Sequence, residues 1–529
     1  MTIRTSKLTR RGLVTAGSVA AGGLLVPRAS ASPRITFPSP RMAQDSEPVH
    51  GGELIFGLST DPSNFEPHVS TGAASASVKQ MVYSTLLLTD ENEQLIGDLA
   101  DEFGWVEENV YEVKIRQGVT FHDGSDLTVD DVVFSLKRIQ DPDTAATNAS
   151  FFAEVTDIAA VDESTVHITF NRPFAAFPLI LANANTLIVS QAWMESGADP
   201  LTEMMGTGPF IFIERIPGVS LTVERNPNYF IAELPYLDSI VFQPMPDDTT
   251  RMTALRSNSV DFVDYVPYTQ MDIIMDDPNF VFASDSSTGW GWIGFNHEAD
   301  LANDQNVRQA IAHGMNRETM VTTAFAGHGS PITGGLIPEG MVGYSPDLEG
   351  TFNGDYDLAR SLLDESGVNP LDIDMVSTSS YSVIQRPAEA AQAELQNADI
   401  NVNLELQEWL TFRQTVADGT FPTHAWGTSF NYGDPDFLWN YMHSTGNSTQ
   451  WFNFADDELD RLLEEGRFST DEALRNEIYH DVQVRAAEVV PIIFTIRRTQ
   501  GEAHSTRVKG YKHLTTWSTI TLREAWLED

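Results

Sequence analysis

Hydrophobic and polar positions alternate with period 2 at several places along the chain, the mark of strands with one buried face. Leu54, Phe56 and Leu58 define one such run within 52–58, and Tyr111, Val113 and Ile115 alternate with Glu112, Lys114 and Arg116 in another. Val166, Ile168 and Phe170 mark a strand over 165–170, Val402, Leu404 and Leu406 mark one more, and Leu187–Val189 is a short apolar run. Elsewhere the period lengthens to that of a helix. Val129, Val132, Val133 and Leu136 fall at i, i+3, i+4 and i+7 behind Thr128 and Asp131, which resemble a capping box. Further helices are expected over 78–87, around Leu358, Leu362 and Leu363 with Gly367 as terminator, over 386–396, and from a cap at Ser469 or Thr470 to about 488. A buried strand is expected over 489–496, and interleaving of this kind predicts an α/β protein.

Between the 111–116 strand and the capped helix, 119–122 reads as a short strand ending at the turn dipeptide Asp123-Gly124. His122 beside Asp123 suits proton transfer, but no nucleophile or third ligand stands at a recognisable spacing, so turn chemistry is the reading adopted. This stretch, IRQGVTFHDGSDLTVDDVVFSLKRI, resembles the signature LRxGVxFHDGxxLTAxDVxFSLxRI of the family-5 solute-binding proteins, the extracytoplasmic receptors of ABC importers, with Val129 where Ala is usual. Other segments match the same family. LIGDLADEFGW resembles its P-x-LAESW segment, 206–210 reads GTGPF, 225–230 reads RNPNYF against RNxxYW, and 255–261 matches AL-x-x-G-x-VD with Asn258 for Gly. Gly294-Phe295-Asn296 and 306–312 match its FN…VRQAIA.

The resemblance covers 51 to the C-terminus and implies a two-lobed periplasmic-binding-protein-like α/β fold, of class II and the large type, with mixed sheets and a hinge. It implies a first lobe over 51–88, 188–287 and 497–529, an extra subdomain over 89–187, and a second lobe over 288–496. The implied function is capture of a small organic solute in an interlobe cleft, a peptide by family default, and delivery to the permease subunits of an ABC transporter. An oligosaccharide or other non-peptide solute is the alternative. The implied contacts include Ser70, Thr71 and Gly72, whose counterparts lie near the cleft, and Arg386, placed where dipeptide-binding relatives use an Arg against the ligand carboxylate. They also include the loop Trp426 to Asp436, which resembles the family's W…D-x-x-DPD with Asp434 opening the DPD. In peptide-binding members the Asp three residues before DPD holds the ligand ammonium group, and here that position is Asn431, which cannot form the ion pair. Trp290, Trp292, Trp409, Trp426 and Trp439 crowd the second lobe, and one or two are expected to stack on a ligand.

Composition narrows the rest. The 529 residues, 41% hydrophobic and 10% aromatic, suffice for more than one core. Arg4, Lys7, Arg10 and Arg11 precede an apolar run over 12–26, and Ala29-Ser30-Ala31 offers a cleavage site, so 1–31 is expected to be a twin-arginine signal peptide and 32–50 a linker. No other stretch is apolar enough to insert in a membrane. The absence of cysteine rules out disulfides, thiolate metal sites, cysteine nucleophiles and a lipidated cysteine anchor. The formal net charge is −43, and removal of 1–31 leaves 27 basic against 75 acidic residues, −48, a surface that repels nucleic acid. An extracytoplasmic monomer without cofactor or metal is expected. A secreted hydrolase is disfavoured: there is no H-E-x-x-H and no phosphate loop, and Gly327-His328-Gly329-Ser330 lacks the G-x-S-x-G frame. A chemoreceptor domain of the same fold remains an alternative. If the cleft otherwise suits free-amine peptides, Asn431→Asp is expected to strengthen their binding in calorimetric titration, and an unchanged affinity would count against that reading of the loop.

Overall fold

A computed structural model describes residues 47–528 other than 71, 430–432, 447 and 517. The expected signal peptide, most of the expected linker, Thr71 and Asn431 therefore lie outside the described residues. The alternating runs form strands because each buries one row of apolar side chains, as in Glu53–Leu58, where Leu54, Phe56 and Leu58 are fully buried.

One sheet of eleven strands dominates the structure. Its two longest members, Phe280–Phe295 and Ile492–Ser505, run antiparallel side by side from Phe280↔Ser505 to Gly294↔Ile492. At the Ser505 end, Phe262–Val263 joins Ala503 and His504, followed by Glu53–Leu58, Ser239–Pro244, Ser220–Arg225 and Phe210–Ile216. At the opposite end, Thr423–Ser429 pairs with Gly289–Phe295, followed by Leu371–Thr378 and Ile400–Gln407. Each long strand thus belongs to both halves of the sheet, and the register shifts between Asp285 and Gly289 where the halves meet. A shift of this kind bends a strand and raises its twist. In the first half Glu53–Leu58 is parallel to Ser239–Pro244 and to Phe262–Val263; in the second, Leu371–Thr378 is parallel to Ile400–Gln407 and Thr423–Ser429.

A separate antiparallel sheet orders Ala100–Glu107, Val110–Ile115, Thr165–Phe170 and Val155–Ala160. Helix Val129–Gln140 packs on it through Val132, Leu136 and Ile139, all fully buried beside Val113 and Ile168. Its capping box forms as read from the sequence: the Asp131 carboxylate accepts from the Thr128 amide at 3.0 Å while the Thr128 hydroxyl accepts from the Asp131 amide at 3.4 Å.

Several elements differ from expectation. The helix expected over 78–87 runs Ala73–Val82 because Ser75, Ser77 and Lys79 are buried polar residues that break the apolar pattern. The 119–122 strand is a tight turn with one bridge, Thr120 to Asp126, and Leu187–Val189 contributes only the bridge Ser84 to Ile188. Asp471, not Ser469 or Thr470, caps helix Glu472–Val489 by accepting from the Ala473 and Leu474 amides. That helix ends at Val490 in the left-handed region before Pro491, so the strand begins at Ile492 rather than 489.

Two buried ion pairs fasten the 434–436 loop to the helices after it. Arg475 bonds both oxygens of Asp434 at 2.7 and 2.9 Å, and Arg467 bonds both oxygens of Asp436 at 2.7 Å. Removing one member of such a pair strands a buried charge. Arg475→Met should therefore cost roughly 3–5 kcal/mol in urea denaturation, and a loss under about 1 kcal/mol would mean that the pair is solvated.

Candidate functional site

The strand order places one end of each parallel set where the two halves meet. Chain leaving the carboxyl ends of Glu53–Leu58, Ser239–Pro244 and Phe262–Val263 supplies Ser59, Asp247 and Tyr265, while chain leaving Leu371–Thr378 and Ile400–Gln407 supplies Tyr381 and Trp409. All five line one cavity of about 940 Å³. Ligands of open α/β sheets bind outside the carboxyl ends of the strands, where loops diverge and leave a crevice. Arg498, Thr499 and Gln500, at the bend of the long strand pair, also line it.

Local bonds hold these loops. Arg251, 1% exposed, donates to the carbonyls of Met245, Asp264 and Tyr265, fixing a turn in which Tyr265 has φ +46°. A bulky residue in the left-handed region is strained and persists only where its surroundings over-determine it. Beneath that turn burial pushes the Asp264 carboxyl up to about 7 while it accepts from the Ser59 amide and hydroxyl. In the second half, the Ser380 hydroxyl accepts from the Trp409 amide at 3.0 Å, which joins the loops after two adjacent parallel strands. Trp409 meets Tyr381 edge to face at 5.0 Å, making an aromatic corner on the cavity wall.

Of the residues singled out in the sequence, Gly72, Arg386 and Trp409 line this cavity. Gly72 precedes helix Ala73–Val82 with φ +99°, a conformation that excludes most side chains. Arg386 is exposed near the start of helix Ser382–Leu395 and makes no ion pair among the described residues. Trp426 stands behind Trp409, stacked between Trp292 at 5.9 Å and Trp451 at 5.4 Å, while its neighbours Gly427 and Thr428 reach the cavity. Trp290 and Trp292 are 1% and 3% exposed and belong to the core. Ser70 is buried, with its hydroxyl on the Asn64 carbonyl and its own carbonyl on Lys79. Asp434 is likewise turned inward, both oxygens occupied by Arg475.

Sequence reasoning did not single out Tyr265, Tyr381, Arg498 or Gln500. A signal for Arg498 was present: Arg497-Arg498 within an apolar strand of a strongly acidic chain.

His122 serves the fold. His122 bonds the Gly208 carbonyl at 3.1 Å, tying the 122–124 turn to the GTGPF turn, while Asp123 accepts from Ser125. Burial holds His68 and His122 down to about 4 and His424 to about 3. No group of three or more His, Asp or Glu suited to a metal occurs among the described residues. A base depressed in the fold stays neutral there while the unfolded chain takes up protons, so stability is complete above about 6.5 and is lost as pH falls toward the folded values. The urea midpoint should drop between pH 7 and pH 4.5, and His424→Gln should narrow that drop by about 2 kcal/mol. An equal drop in wild type and variant would contradict a buried neutral His424.

Comparisons with known proteins agree with this architecture. Residues 94–450 match the bacterial extracellular solute-binding proteins, family 5 Middle. The glutathione-binding protein GsiB of Pectobacterium atrosepticum is 26% identical over 87% of this chain and 91% of its own. The oligopeptide-binding protein AppA of Bacillus subtilis is 24% identical over 91% and 92%. Among solved structures, the binding protein AgaA of A. tumefaciens R10 in complex with agropinic acid superposes with TM-score 0.81 and 30% identity, covering 90% of this chain and 99% of that one. The fold is the two-lobed α/β fold of periplasmic binding proteins. With the matched region holding strands of both halves of the large sheet, the chain belongs to the family-5 extracellular solute-binding proteins.

Proposed function

We propose that this chain is the non-enzymatic extracytoplasmic receptor of an ABC importer, capturing a small carboxylate-bearing organic solute and handing it to the permease subunits. The observation that carries this reading is the cavity of about 940 Å³ at the carboxyl ends of parallel strands from both halves of the sheet, with Arg386 unpaired on its wall. A guanidinium in a crevice presents a planar fork that matches a carboxylate. On this reading the lobes are 51–88 with 188–287 and 497–529, and 288–496, with 89–187 as the extra subdomain. They close on the solute by bending at the register shift near Asp285–Gly289. Export by the twin-arginine route, the absence of a lipid anchor and a monomeric state complete the proposal. Among the described residues no helix is long and apolar enough to cross a membrane.

Glutathione-binding and oligopeptide-binding relatives support a peptide. A non-peptide solute is favoured by the Trp409–Tyr381 corner, a surface suited to stacking on a ring, and by the relative solved with agropinic acid. Native mass spectrometry of the gently purified protein should reveal a co-purified organic solute. In titration with that solute, Trp409→Ala should weaken binding about tenfold, or ~1.4 kcal/mol, whereas Trp290→Ala should lower stability instead. Turnover of the solute, or undiminished affinity in Trp409→Ala, would contradict the proposal.

A further inference from the structure

Arg498 is 9% exposed and lines the cavity at the bend of the long strand pair. Its guanidinium lies against Gly289: a Cβ at that glycine would come within 2.7 Å of the Arg498 Nε and 2.9 Å of its Cζ. The slot exists only because residue 289 lacks a side chain. Within it, Arg498 Nε donates to Gln500 Oε1 at 2.9 Å and Nη2 donates to Ser429 Oγ at 2.8 Å. Gln500 and Tyr265 also line the cavity. Both acceptors are neutral, and no carboxylate of a described residue lies within ion-pair distance of Arg498.

Other buried arginines in this half of the sheet are held differently: Arg475 meets Asp434 with two bonds, while Arg308, Arg317 and Arg497, without an ion pair among the described residues, donate to backbone carbonyls. Burying a cation without a counter-charge is costly, and of these four unpaired buried arginines Arg498 alone lines the cavity. Described residues lining the cavity include Arg251, Arg256, Arg386 and Arg498 against Asp247 and Asp248 alone, a net +2 in a chain of net −43. Arg251 is paired with Asp248, and Asp247 caps its own helix. Arg256 turns back to the Met252 carbonyl of its own helix, and Arg386 and Arg498, likewise without an ion pair among the described residues, stand on different walls of the cavity, one on the second-half helix Ser382–Leu395, one at the register shift of the long strand pair.

Resting on the receptor reading above, we infer that the solute carries two acidic groups and that Arg498 is the residue that reads the second of them. Arg386 takes one acidic group and the slotted Arg498 fork takes the other, completing its coordination with two N–H···O bonds that Gln500 and Ser429 leave room for. A diacid held in this way joins the helix wall of one half to the strand bend shared by both. The same positive cavity repels a solute whose second terminus is cationic, which sets its selectivity apart from that of a receptor built to hold an ammonium group.

Calorimetric titration of the full chain with two matched pairs tests the inference: glutathione against its glycine monoethyl ester, and N-acetylglutamate against N-acetylglutamine. Each pair differs by one carboxylate. The diacid of at least one pair should bind tenfold or more tightly than its partner. Arg498→Gln should erase that preference, and Arg498→Lys, which keeps the charge and loses the fork, should restore part of it. The ligand-free Arg498→Gln protein should melt at or above the wild-type temperature, since an unpartnered buried charge has been removed. Equal affinity within both pairs, or a preference that survives Arg498→Gln, overturns the inference and leaves the receptor reading standing. Absence of binding by all four probes also overturns it, while the receptor reading is judged separately by the co-purified solute.

Discussion

The antiparallel pairing of Phe280–Phe295 with Ile492–Ser505 is the constraint from which the rest follows. Because both strands continue through the register shifts at Asp285/Gly289 and Trp290/Trp292, two half-sheets share one hydrogen-bonded spine whose pairing is broken where they meet, an irregularity that bends and twists a strand. The parallel strands attached on either side then point their carboxyl ends toward the bend, so that loops from both halves converge on one cavity. A binding protein that closes around its ligand needs such a joint: stiff enough to keep two surfaces in register, and narrow enough to let them approach.

Electrostatics gives the cavity its character. An acidic surface suits solubility and says little about a ligand, whereas the few arginines are placed with economy. Arg467 and Arg475 tie the 434–436 loop to its helices, Arg251 braces the strained turn at Tyr265, and Arg386 and Arg498 line the cavity without an ion pair among the described residues. In a chain with 75 acidic against 32 basic residues, Arg256, Arg386 and Arg498 line this one cavity without an ion pair among the described residues.

Much of the fold was legible because strand and cap signals are local. Thr165–Phe170 alternates cleanly and forms a strand over those residues, and Thr128 with Asp131 makes the capping box that its spacing suggests. Helix Ala73–Val82 was misplaced because its buried face includes Lys79, which donates to the carbonyls of Glu66, Pro67 and Ser70 and reads as polar in any periodicity argument. The site was legible only in part. Arg386, Trp409 and Gly72 reach the cavity, but Asp434 is consumed by Arg475, a partner 41 residues away that no local pattern reveals. Arg498 was hidden for the converse reason: a charged residue in an apolar strand looks like an irregularity until the slot at Gly289 is seen. The family resemblance located the loops, and pairing between distant residues decided which side chains in them are free.

The central claim is that both halves grip one solute across the bend. Small-angle X-ray scattering of the full chain tests it most directly, comparing protein carrying its co-purified solute with protein unfolded, dialysed and refolded without it. The radius of gyration should be smaller with solute than without, and returning the solute should restore the smaller value. Identical scattering in both states, with solute demonstrably bound, would contradict closure about the strand pair.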